Sequence, residues 1–134
     1  MKILLLGDVM GSSGRKAISS NLAKLISKND IDFTVINGEN AADDGKGITK
    51  SIAEEFFLHG VDVITSGNHI WDKKEIIDYI NQEVRLLRPA NLVEGSPGNG
   101  YGIYYTKNKK FKVGVINLMG NVFMRKTEDV FEVA

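Results

Sequence analysis

Lys2-Ile3-Leu4-Leu5-Leu6-Gly7-Asp8-Val9-Met10-Gly11 is the stretch on which the fold turns. Ile3, Leu4, Leu5 and Leu6 are apolar without alternation, the pattern of a strand covered on both faces. The run is too short for a signal-peptide core or a bilayer span, so no targeting segment is expected. Glycine and aspartate follow at once. Beyond them Ile18, Leu22, Leu25 and Ile26 recur at three- and four-residue spacing, which predicts a helix ending at 28–29.

The same theme then repeats. A strand is expected over 33–36 and a polar, Gly-rich turn over 37–47. Thr49 or Ser51 caps a helix through Ile52, Phe56 and Phe57 that Gly60 closes. Strand 61–65, turn 66–71, a helix near 73–81 and strand 84–87, stopped by Pro89, complete a series of βαβ units. After a turn at 97–100 the pattern changes: 101–106 alternates, 107–110 is a polar loop and 111–117 is again a strand. This hairpin is expected to join the parallel strands. The fold class is α/β, a mixed, mainly parallel sheet with flanking helices. Residues 121–134 show neither a clear period nor a cap.

Composition bounds what such a domain does. The chain has 134 residues, with 17 basic and 17 acidic side chains and 43% hydrophobic residues. A chain of this size buries roughly two thirds of its unfolded surface, enough for a core without staples. The balanced charge lacks the footprint of a dedicated DNA binder. Zero cysteines exclude disulfides, thiolate zinc sites and cysteine nucleophiles, and fit a cytoplasmic location. No membrane association is expected.

In an open α/β sheet the ligand crevice lies beyond the carboxyl ends of the strands. Three turns there carry chemistry: Gly7-Asp8-Val9-Met10-Gly11, Asn37-Gly38-Glu39-Asn40-Ala41 and Gly67-Asn68-His69. Each sets a hard oxygen donor or an imidazole beside a glycine, as a shared divalent-metal or phosphate site requires. Nucleotide-loop motifs fit poorly. A P-loop needs glycine where Ser12 stands, and Gly11-Ser12-Ser13-Gly14 supplies only one spacing of a dinucleotide fingerprint.

Together the turns resemble the calcineurin-like metallophosphoesterase superfamily. Six stretches in order, the three above, the second continued to Ala42 and the third through Ile70-Trp71-Asp72, with Gly47-Ile48-Thr49, Arg88-Pro89-Ala90-Asn91 and Asn117-Leu118-Met119-Gly120, are similar to the YmdB-type bacterial phosphodiesterases. The resemblance implies the N-terminal half of a metallophosphoesterase α/β sandwich, with residues 1–134 one domain incomplete at its C-terminal end. It implies two metal ions, iron or manganese, with Asp8, Glu39 and Asn40 on one, Glu39 and Asn68 on the other, and His69 as proton donor. Substrates would be cyclic nucleotides or related phosphodiesters, attacked by metal-activated hydroxide. The wider superfamily has histidine where Met10 stands and aspartate where Glu39 stands, and the YmdB-type subgroup shares both departures. Family members also take histidine ligands from later turns, whereas this sequence has only His59 and His69. Activity of the chain alone is therefore expected to be impaired, and a complementing C-terminal half or a homo-oligomer is the expected partner.

Each residue has a plainer reading. Asp8 fits a turn or cap, and Asn68 and His69 could bond the turn backbone. His59, ahead of Gly60, is expected to be structural at a helix C-terminus. Trp71, Tyr101, Tyr104 and Tyr105 suit packing more than base stacking. Asp43, Asp44 and Lys46 read as a solvated, mobile loop, and Arg15 and Arg88 as surface residues. The rival functions are an inactive nucleotide-binding or assembly module that pairs with a partner, and a metal-free flavodoxin-like or Rossmann-like nucleotide binder.

Overall fold

The apolar run at 3–6 becomes the edge strand of a parallel sheet. The computed structural model describes residues 1–124 and 127–134. Strands β1 (Ile3–Leu6), β2 (Phe33–Asn37), β3 (Val63–Thr65) and β4 (Leu86–Leu87) lie side by side in chain order. Helices α1 (Gly11–Asn29), α2 (Lys50–Leu58) and α3 (Ile76–Ile80) fill the three connections. Crossovers of one hand, advancing steadily across a sheet, put their helices on one face. Leu4, Leu6, Ile36, Ile64 and Leu86 share that face by register. They pack there with Leu22 of α1, Ile52 and Phe56 of α2, and Ile76 and Ile80 of α3.

The opposite face carries Phe33, Val35, Val63 and Leu87, which water would reach if nothing covered them. An antiparallel hairpin, β5 (Tyr101–Tyr105) and β6 (Lys112–Ile116), lies across it and buries them against Tyr104, Val113 and Val115. The Phe33 and Tyr104 rings meet at 6.2 Å between centroids. The hairpin does not extend the parallel sheet as its sequence position suggests. It forms a separate two-stranded sheet, linked to the end of β4 by one bridge between Leu87 and Asn99. Covering four large side chains, at about 1.5–3 kcal/mol for each fully buried, favours stacking over edge addition.

Several elements are shorter than their patterns. The helix expected near 73–81 spans only Ile76–Ile80, because Ile76 and Ile77 close three-residue turns onto the carbonyls of Lys73 and Lys74. The strand expected over 84–87 shrinks to two residues where the Glu83 carboxylate takes the Arg85 backbone N–H and guanidinium. Thr49, not Ser51, caps α2, its hydroxyl accepting from Ile52 N at 3.3 Å. His59 is the C-cap of α2 with its Nε2 4.0 Å from Glu55, as a structural histidine. Near the C-terminus Asp129 accepts from Phe131 N and Glu132 N and caps a short helix, α4 (Val130–Val133), where no cap was legible. Residues 125 and 126 of that stretch lie outside the described residues. Among the described residues no helix is long and apolar enough to cross a membrane.

Candidate active site

The ends of β1, β2 and β3 are stitched together by backbone bonds: Val9 N to Asn37 O at 3.0 Å, Gly11 N to Asn40 O at 2.9 Å and Gly38 N to Thr65 O at 2.9 Å. The turns bearing Asp8, Glu39-Asn40 and Asn68-His69 therefore form one edge, as parallel strands in chain order dictate. Asp8 has φ +30°, a left-handed conformation that Asx residues tolerate but that still costs about 1–3 kcal/mol. Its Oδ1 accepts from Asn40 Nδ2 at 2.8 Å, which leaves Asn40 Oδ1 free as a donor to a cation.

Glu39 is held from both sides. Its backbone N–H meets Asn37 Oδ1 at 3.3 Å, and its Oε1 accepts from His69 N at 3.2 Å. Gly67 makes this approach possible, since a Cβ there would fall 2.1 Å from Glu39 Oε2. Gly47, at φ +77°, is required next to it, because a Cβ would sit 2.9 Å from the His69 carbonyl. The His69 ring nitrogen Nδ1 lies 2.8 Å from Asp72 Oδ2. Asn68, His69 and Asp72 open onto a cleft of about 420 Å³ whose other wall is Phe123 and Met124.

The structure thus joins Asp8 to Asn40 and Glu39 to the His69 backbone. Asn68 faces the same cleft without a hydrogen bond to the other four among the described residues. All the donors are hard oxygens, and the space Gly67 leaves for the Glu39 carboxylate suits a cation-holding role. The donor set is nevertheless short. Among the described residues no three of His, Cys, Asp and Glu gather as a metal-holding group.

Three contributors were given no role in the site by the sequence reading. Asp72 follows His69 by three residues, a spacing that could have flagged it. Arg15 is not a free surface residue: its Nη1 donates to Ala41 O and its Nη2 to Asp43 Oδ1, both at 2.6 Å. Lys73 Nζ likewise meets Asp44 Oδ2 at 2.6 Å and holds that carboxyl below the usual range. The loop after Asn40 is consequently pinned from α1 and from the β3–α3 turn rather than free. Arg88 is also partly buried, donating from Nη1 to the carbonyls of Pro89 and Ala90.

The chain is 48% identical over 131 residues to the 2′,3′-cyclic-nucleotide 2′-phosphodiesterase of Bacillus subtilis, a match that covers 98% of this chain and 48% of that protein. A solved structure of a hypothetical protein from Thermus thermophilus superposes with a TM-score of 0.89 at 32% identity, over 99% of this chain and 50% of that one. A novel phosphatase from Mycoplasma pneumoniae gives a TM-score of 0.88 at 35% identity, over 99% and 48%. The chain spans about half the length of these proteins. The YmdB-like protein family matches residues 4–134, and the chain belongs to that family.

Proposed function

We propose that this chain carries one wall of the catalytic centre of a metal-dependent phosphodiesterase acting on cyclic nucleotides or related phosphodiesters. The observation that carries the reading is the gathering of Asp8, Glu39, Asn40, Asn68 and His69 at three adjoining strand ends, where the His69 backbone N–H ties Glu39 to the turn that opens onto the cleft. The activity named for the B. subtilis relative supports it. Asp8, Glu39 and Asn40 would hold one metal ion and Glu39 and Asn68 a second, iron or manganese. Bound there, such ions supply Lewis-acid polarisation of the phosphoryl group and an activated water.

The chain's own residues do the rest. Asp72 fixes the His69 ring through Nδ1 and stabilises its imidazolium form, whose Nε2–H is the proton passed to the departing alkoxide, leaving the neutral Nδ1–H ring, a role worth roughly 10²–10⁴ in rate. Asp8 orients the Asn40 carboxamide, and the His69 backbone N–H orients Glu39. Two carboxylates and two carboxamides bind weakly on their own, so turnover by residues 1–134 alone is expected to be low. A cytoplasmic location fits the cysteine-free sequence.

Manganese binding followed by electron paramagnetic resonance, with hydrolysis of 2′,3′-cyclic AMP measured in parallel, tests the reading. Weak binding that Glu39→Gln and Asp8→Asn each reduce further is the expected result. Binding indifferent to both substitutions would overturn the site, and two tightly held ions with rapid turnover would overturn the shortfall of donors.

A further inference from the structure

The segment that follows β6 passes over the edge where the parallel strands end. Buried Asn117 ties its start to Ser66 O at 2.8 Å and Leu87 O at 3.2 Å. Buried Asn91 then clamps Met119, accepting from its N–H at 2.9 Å and donating to its carbonyl at 2.7 Å. Beyond this double anchor Met124 N donates to Asn121 O at 3.2 Å and closes a turn over 121–124. Phe123 is the third residue of that turn, with φ +60°. A positive φ there favours glycine or asparagine, and a bulky side chain is strained by it. The fold gains no burial in return, since Phe123 is fully exposed. Strain of this kind clusters at ligand clamps. Here it sets Phe123 and Met124 on the wall of the cleft shared with Asn68, His69 and Asp72. Among the described residues no tyrosine, tryptophan or other phenylalanine lines that cleft.

We propose that Phe123 is the platform on which the substrate's base stacks, which makes the cleft a reader of nucleoside esters rather than of phosphodiesters at large. The proposal rests on the phosphodiesterase reading for the place of the phosphate. In a 2′,3′-cyclic nucleotide the base hangs on C1′, the ribose carbon next to C2′, so it lies close beside the cyclic ester whose leaving oxygen His69 protonates. An exposed ring in the same cleft as that histidine is in place for the base. The cleft volume of about 420 Å³ falls within the range of roughly 300–1,000 Å³ typical of small-molecule sites, enough for one mononucleotide. Stacking reads the area of a base and not its edge, so purine esters bind better than pyrimidine esters, and both better than an ester with no base. One aromatic ring contributes roughly fivefold to a hundredfold in affinity per stacked base.

The test titrates the chain, with magnesium as a diamagnetic ion, against adenosine 2′,3′-cyclic phosphate, its cytidine counterpart and the baseless methyl riboside 2′,3′-cyclic phosphate. Nuclear magnetic resonance follows the Asn68 and His69 amides and the Phe123 ring protons. Both nucleotides should move the ring protons upfield, the baseless ester should not, and the adenosine ester should bind about tenfold tighter than the baseless one. Phe123→Asn should bring the adenosine ester down to the affinity of the baseless one, yet melt no lower than the native chain, because asparagine suits the turn. Phe123→Tyr should keep the preference. A merely structural Phe123 would show the opposite, a lower melting temperature with base preference unchanged. Equal binding of the adenosine and baseless esters, or a preference that Phe123→Asn leaves intact, overturns the proposal while the phosphodiesterase reading stands. Amides of Asn68 and His69 that respond to none of the three esters would overturn both.

Discussion

Asp72 Oδ2 stands 2.8 Å from His69 Nδ1, three residues along one turn. A carboxylate accepts only, so the neutral ring must carry its proton on Nδ1 and leave Nε2 unprotonated. Long-range proton–nitrogen spectra of the neutral ring should show this tautomer. Asp72→Ala should return the ring toward the Nε2–H form that an unconstrained histidine side chain prefers, with little loss of stability because both side chains are part-exposed. A native ring already protonated at Nε2 alone would contradict the assignment.

Gly67 offers a cleaner separation of fold from site. An added methyl would overlap the Glu39 carboxylate, the far end of a flexible side chain rather than backbone. Gly67→Ala should therefore displace Glu39 at small cost, within about 1 kcal/mol of the native protein, while lowering manganese affinity at least tenfold. Thermal melts and metal titration on the same sample decide it. Equal losses in both would mean that Gly67 serves only the backbone.

How much of this was legible beforehand depends on whether residues act along the chain or across it. The continuous apolarity of Ile3 to Leu6 and the turn glycines predicted a parallel sheet and the edge to which Asp8, Glu39 and His69 are brought, because local pattern and crossover geometry suffice for that. The stacking of the hairpin was not legible. Tyr104 and Val113 look the same in sequence whether they extend a sheet or lie over it, and only the strand order shows that one face needs cover. Two quoted stretches prove to be hydrogen-bond hubs. Buried Asn117 donates from Nδ2 to Ser66 O at 2.8 Å and Leu87 O at 3.2 Å, and buried Asn91 accepts from Met119 N and donates to Met119 O at 2.7 Å. Such bonds, over separations of 28 residues or more, leave no local periodicity to read.

Arg15 tests the pinned loop. Ala41 is fully buried, so Arg15→Ala leaves its carbonyl without this guanidinium partner, whereas the pair with exposed Asp43 is worth little. Arg15→Ala should cost about 1–3 kcal/mol and Asp43→Ala about 0.2–1 kcal/mol. Hydrogen exchange over 41–47 should accelerate in the first variant more than in the second. The reverse order would assign the anchoring to the ion pair.

Glu83 makes stability depend on pH with a definite sign. The Arg85 guanidinium, 2.8 Å away through Nε and 2.6 Å through Nη2, holds the Glu83 carboxyl below its ordinary value of 4.5, and is itself stacked 3.8 Å from the Phe57 ring centroid. The unfolded chain, lacking Arg85 in place, binds the proton more readily. Stabilisation is therefore complete above 4.5 and is lost as pH falls from there through the lower folded value. Asp62 runs the other way, because burial raises its pKa, so its charge opposes folding near neutrality and that opposition is relieved on acidification. Glu83→Gln isolates the first effect. Discounted for the solvent reaching Arg85, the variant should be about 0.5–1 kcal/mol less stable at neutral pH. At a second, acidic pH below the lowered folded value the gap should close, as both side chains are then neutral. Urea unfolding at the two pH values measures it, and a gap that stays constant would place the effect in packing against Phe57 rather than in the ion pair.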